Sequence, residues 1–105
     1  MSAEILIVDD NADIRLILDE LIIDAGYKTR LAANFNQALT EIDKKLPDVA
    51  IIDVKLDKGD NDGIVLLDHI KSKNPDLPVI MISGHANIEM AVNSLKSGAF
   101  EFIQK

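Results

Sequence analysis

The sequence has no cysteine, which excludes a disulfide framework, a thiol nucleophile and a thiolate metal site. It also lacks any long hydrophobic run. Stretches such as Ile5-Leu6-Ile7-Val8 fall far short of the roughly 20 apolar residues that span a bilayer. Glu4 and Asp9-Asp10 flank that run, so it does not read as a secretory leader, and the expected location is the cytoplasm. Basic residues are in the minority, with 11 Lys and Arg against 18 Asp and Glu and a net charge of −7. That balance argues against direct binding to nucleic acid or to an anionic membrane surface. Neither G-x-x-x-x-G-K-[ST] nor G-x-G-x-x-G occurs, so the usual phosphate-cradling loops of nucleotide binders are missing.

What remains is a 105-residue chain that is 48% hydrophobic, enough for one globular core and too short for two. Short runs rich in β-branched residues predict strands at Ile5–Val8, Thr29–Ala32, Val49–Val54, Val79–Ser83 and Phe100–Ile103. The third and fourth are continuously apolar, as in strands buried on both faces. Helix-period stretches alternate with them. Ile14, Leu18, Leu21, Ile22 and Ala25 form one face of a first helix ended by Gly26. Phe35, Ala38, Leu39 and Ile42 mark a second, closed by Pro47, and Leu66, Leu67 and Ile70 a third, ending before Pro75. Ile88, Ala91, Val92 and Leu95 mark a fourth, with Asn87 as N-cap and Gly98 past its end.

Strictly alternating strands and helices with short connections imply parallel pairing and right-handed crossovers. The expected fold is α/β, a doubly wound open sheet of five parallel strands with helices on both faces. Ligands of such sheets bind at the carboxyl ends of the strands. Polar residues gather there: Asp9 and Asp10 after the first strand, Asp53 near the end of the third, Ser83 ending the fourth and Lys105 after the fifth. Carboxylates crowded together repel, and a hard oxygen-seeking cation such as Mg²⁺ relieves that repulsion. A lysine and a hydroxyl suit phosphoryl oxygens. The set points to phosphoryl transfer with a carboxylate nucleophile.

Each residue also has a plainer reading. Asp9 and Asp10 could cap a helix, Ser83 could simply end a strand, and Lys105 could be a solvated terminal lysine. An acid at the end of the apolar run Val49–Val54 is costly unless paired, which favours a role for Asp53. His69 and His85 read as surface residues. The stretch Asp57 to Gly63 fails the register of a calcium loop and reads as a solvated acidic turn.

The segments "ILIVDDNADIR", "VAIIDVKLDKGDNDG", "PVIMISGHANIEMAV" and "GAFEFIQK", in this order, resemble the signature blocks of response-regulator receiver domains over the whole chain. The wording from Ser83 onward further resembles receivers of the NtrC/NtrX class. The resemblance implies a CheY-like sheet of strand order 2-1-3-4-5, with a fifth helix beyond Lys105. Residues 1–105 would be the N-terminal receiver of a longer regulator. Asp53 would be the phosphoacceptor. Asp10 would bind Mg²⁺ directly, Asp9 largely through water, and Lys55 through its backbone carbonyl, with Asp53 completing the set. Ser83 would be the switch hydroxyl, Phe102 the aromatic that changes rotamer, and Lys105 the phosphoryl counter-charge. Implied partners are a sensor histidine kinase, a second receiver in a homodimer, and an ATPase and DNA-binding output module. The domain would catalyse only its own phosphorylation and dephosphorylation. Receivers commonly carry a proline after the phosphoacceptor; none lies between Asp53 and Gly63 here, and the loop is about two residues longer.

Two rival readings remain at this level. A phosphatase of the haloacid-dehalogenase kind also uses an aspartate and Mg²⁺, but places its nucleophile two residues before a second acid. A receiver-like module could also bind partners without being phosphorylated.

Overall fold

A computed structural model describes residues 3–57, 59, 61–84 and 88–105. The elements are β1 (Glu4–Val8), α1 (Ala12–Asp24), β2 (Lys28–Ala32), α2 (Phe35–Lys44), β3 (Val49–Asp53), α3 (Asp62–Lys73), β4 (Val79–Ser83), α4 (Ile88–Lys96) and β5 (Glu101–Gln104). All strand pairs are parallel and the sheet order is β2-β1-β3-β4-β5. The order reverses between β1 and β3, so the switch point lies beside Asp9, Asp10 and Asp53. Among the described residues no helix is long and apolar enough to cross a membrane.

The core is built on one face of the sheet. Leu6, Val8, Ala50, Ile52, Val79 and Met81 project into it and meet Ala38 and Ile42 of α2 and Leu66, Leu67 and Ile70 of α3. Those side chains recur every three or four residues, which is why these helices lie flat on the sheet. α1 contributes no buried residue. Ile14, Leu18 and Ile22 are half-buried, whereas Leu21 and Ala25 face solvent, so the inward stripe of α1 is narrower than its periodicity suggests. Val49, Ile51 and Ile80 also stay partly exposed, so β3 and β4 are not sealed on both faces.

α4 departs further from expectation. Its apolar stripe points outward, with Ile88 84% and Leu95 49% exposed, while Ser94 is fully buried and Met90 packs on the core. Ser94 Oγ has no hydrogen-bond partner there. Asn87, the expected N-cap of α4, lies outside the described residues.

Both helix-ending glycines adopt the left-handed conformation, Gly26 at φ 96° and Gly98 at φ 104°. Each closes a Schellman turn: Gly26 N–H donates to the Ile23 carbonyl and Tyr27 N–H to Ile22, while Gly98 N–H donates to Leu95 and Ala99 N–H to Ser94. Each turn feeds the chain into the next strand. His69 is half-buried rather than a free surface residue, and its Nε2 meets Asp43 Oδ1 at 2.9 Å, joining α3 to α2. Asp62 is likewise buried, accepting the Gly59 N–H at 3.0 Å, so the stretch before Gly63 is not wholly solvated. Lys58, Asp60 and His85 lie outside the described residues.

Candidate functional site

Four strand ends supply the site, with Lys105 following β5. The parallel register puts Val8 beside Ile52 and Asp53 beside Ile82, so the residues following β1 and ending β3 and β4 share one edge. Asp9 continues β1 by donating its N–H to the Ala32 carbonyl at 3.2 Å. Its carboxylate turns inward, fully buried, and Oδ1 accepts the Asn11 N–H at 2.9 Å. Asn11 in turn caps α1, accepting the N–H groups of Asp13 and Ile14. Arg15, one turn into α1, reaches back to donate to the Asp9 carbonyl at 2.7 Å. Asp10 is thereby left pointing to solvent.

Carboxylate oxygens of Asp9, Asp10 and Asp53 lie within 4.8 Å of one another. Lys105 answers this crowding. Its Nζ sits 2.7 Å from Asp9 Oδ2 and 2.9 Å from Asp53 Oδ2, and its N–H donates to the Ser83 carbonyl at 2.8 Å. Burial pushes the Asp53 carboxyl above its usual range; Lys105 pulls it back, and the Asp9 charge adds to the rise. Burial also opposes the charge on Lys105, but hydrogen bonds and attraction to Asp9 and Asp53 outweigh it and hold the ammonium above the ordinary lysine range. Asp53 is thus a poorly solvated carboxyl group whose ionised form the neighbouring cation favours.

A hollow of about 310 Å³ opens over this cluster, lined by Asp10, Asp53, Lys55, Ser83 and Lys105 among others. Asp9, Asp10, Asp53, Lys55, Ser83 and Lys105 are therefore brought together. Phe102 is not in the lining; it is paired with Met81 in register and packs partly buried against the core. The lining also includes Asn11, Leu56, Gly84 and Met90, which sequence reasoning did not single out. Asn11 was legible as a cap after an acidic pair; Met90 comes from a distant helix and carried no signal.

All the oxygen donors here are hard, and three clustered carboxylates suit a small divalent cation better than any thiolate or imidazole site would. The acid cluster fits a metal ion. The lysine beside it sets a cation against two of these carboxylates.

A five-stranded parallel sheet of this order, with acids at its switch point and a lysine after the last strand, defines a receiver domain. The family model for the response regulator receiver domain matches residues 5–105, and the chain belongs to that family. Its relatives narrow the class to receivers of NtrX/NtrC-type two-component systems. It is 45% identical over its full length to the nitrogen assimilation regulatory protein NtrX of Azorhizobium caulinodans, and 34% identical over 99 residues to the DNA-binding transcriptional regulator NtrC of Salmonella typhimurium. These matches cover 23% and 21% of those proteins, so the chain spans less than a quarter of their length. Among solved structures, NtrX from Brucella abortus superposes with a TM-score of 0.90 at 45% identity, covering all of this chain and 24% of that one. A CheY-like receiver from Methanospirillum hungatei gives 0.91 at 31% identity, covering 100% of this chain and 82% of the other.

Proposed function

We propose that this domain is the phosphorylation switch of a longer two-component regulator and that Asp53 is its phosphoacceptor. The observation that carries the reading is Lys105 Nζ held between Asp9 and Asp53, at 2.7 and 2.9 Å, beneath an open hollow. A sensor histidine kinase is the expected donor. A carboxylate oxygen of Asp53 forms a P–O bond while the P–N bond of the phosphohistidine breaks, and the imidazole keeps the electron pair. With a small acyl phosphate the leaving group is the carboxylate instead. The low solvation of Asp53 leaves it free to attack, and Lys105 faces the charge on the phosphoryl oxygens. Asp10, Asp53 and the Lys55 carbonyl would hold Mg²⁺, with Asp9 acting largely through water. The ion would neutralise charge on the transferring group.

After transfer the new acceptor oxygens draw the Ser83 hydroxyl toward the phosphoryl group, and the movement opens space that Phe102 takes up. The outward apolar stripe of α4, with Phe100 72% exposed beside it, is then the surface that changes for an output module. In the full-length regulator that module is an ATPase joined to a DNA-binding unit, and receivers pair as homodimers. The domain catalyses only its own phosphorylation and dephosphorylation, in the cytoplasm.

The test is intact-mass measurement after acetyl phosphate and Mg²⁺. One phosphoryl group is expected on wild type, none on Asp53→Asn, and none on wild type with excess chelator. Continuous turnover of the acyl phosphate without protein phosphate would instead support the phosphatase reading.

A further inference from the structure

The segment from Asp53 to Gly63 carries the Lys55 carbonyl and has no proline to stiffen it. Beside the local bonds from Lys55 N–H to Asp53 and from Gly59 N–H to Asp62, three holds fix its described residues to the rest of the fold. Leu56 is buried in the core, and Gly63 N–H donates to the Val54 carbonyl at 2.8 Å. The third hold is remote in sequence: Asp57 Oδ1 accepts the N–H of Phe35, the first residue of α2, at 2.9 Å. That helix end is otherwise capped locally. Asn34 Oδ1 accepts the Gln37 N–H and Gln37 Oε1 accepts the Ala33 N–H, both at 2.8 Å. Asp57 thus satisfies a terminal donor that neither local side chain takes, and its charge faces the positive end of the helix dipole. Lys55, two residues earlier, lies between a fixed strand and a fixed helix.

We propose that Asp57 is a positioning residue for the cation site, tethering the loop to α2 so that Lys55, which lines the hollow and donates its N–H to Asp53 Oδ1 at 3.3 Å, keeps its carbonyl in place for the ion. The proposal rests on the reading of the acid cluster as a cation site. A tether sets where the Lys55 carbonyl stands as well as how stable the loop is. Losing it therefore costs affinity in addition to any cost in folding. Outer partners that orient metal ligands typically contribute 10- to 100-fold in affinity.

Calorimetric titration with Mn²⁺, beside urea unfolding without metal, tests this on wild type, Asp57→Ala and Asp57→Asn. Asparagine keeps an acceptor oxygen and removes the charge. The expected result is a Kd raised on the order of tenfold in Asp57→Ala, with Asp57→Asn close to wild type. Wild-type affinity in Asp57→Ala, whatever its stability, overturns the positioning role. Equal weakening in both variants also overturns it, because charge rather than tethering would then act. Absence of Mn²⁺ binding by wild type overturns the cation-site reading itself.

Discussion

Replacing Lys105 with methionine is expected to slow phosphorylation of Asp53 by acetyl phosphate about 10²- to 10³-fold, the usual effect of removing one donor aimed at developing charge. The same change removes the only cation within ion-pair distance of Asp9 and Asp53 among the described residues. Breaking a buried ion pair from one side costs about 3–5 kcal/mol. The Lys105 side chain is 19% exposed, which places the loss near 3 kcal/mol, the low end of that range. The pH dependence has a definite sign. In wild type, Lys105 is held above its ordinary value of 10.5, so the stability it contributes is present at neutral pH and lost only as pH rises through the elevated value. In the variant, burial and Asp9 push the Asp53 carboxyl up with only the Lys55 N–H still opposing them. A raised carboxyl favours the folded state below the ordinary carboxylate range and loses that contribution as pH rises through its folded value. Urea denaturation should therefore find the variant most weakened at neutral pH and nearest wild type in acid. A deficit that does not change with pH would contradict this electrostatic account.

Gly63→Ala is the second large effect, and two principles disagree about its sign. Gly63 lies in the first turn of α3 at an ordinary helical φ, so propensity alone predicts about 1 kcal/mol of stabilisation. Sterics predict the reverse. A Cβ there would fall well inside contact distance of the Asp53 carbonyl oxygen and 2.7 Å from the Val54 Cα. Both obstacles are backbone and cannot swing aside. Overpacking costs typically 1–3 kcal/mol, and against main chain the upper part of that range applies, roughly 3 kcal/mol. The steric effect wins, leaving a net loss of about 2 kcal/mol. The end of β3 must move to accept the methyl group, and Asp53 moves with it. Equilibrium unfolding should show the loss, and phosphorylation of the folded variant should fall more than its folded fraction does. A stabilised, fully active variant would show that the approach of α3 to β3 is not tight.

The sequence's strand and helix order was legible because the periods separated strands from helices, most clearly where they also matched a packing face, as in Leu66, Leu67 and Ile70. The strand order 2-1-3-4-5 came from the family resemblance, and the sheet has it. Two helices read less well. Periodicity reports that a helix is amphipathic, but it does not say which stripe faces the core; in α4 the outward stripe is the more apolar one and Ser94 faces in. In α1 the exposed Leu21 looked like core for the same reason. At the site, Asp9, Asp10 and Asp53 were marked by acids where apolar strands end, and Lys105 by its place after the fifth strand, with the family resemblance adding its role as phosphoryl counter-charge. Arg15 and Asp57 were not legible. Each acts by one hydrogen bond to a backbone group, Arg15 to the Asp9 carbonyl and Asp57 to the Phe35 N–H, and such a contact depends on the folded path and leaves no spacing to recognise.

The acyl phosphate itself offers the most direct measurement. Borohydride reduces an aspartyl phosphate to homoserine, so phosphorylated protein can be reduced, digested and mapped by peptide mass. Conversion of Asp53 alone, dependent on Mg²⁺, is the predicted result. Conversion at Asp9 or Asp10, or no conversion after a confirmed gain of one phosphoryl group, would contradict the assignment of Asp53 as the acceptor.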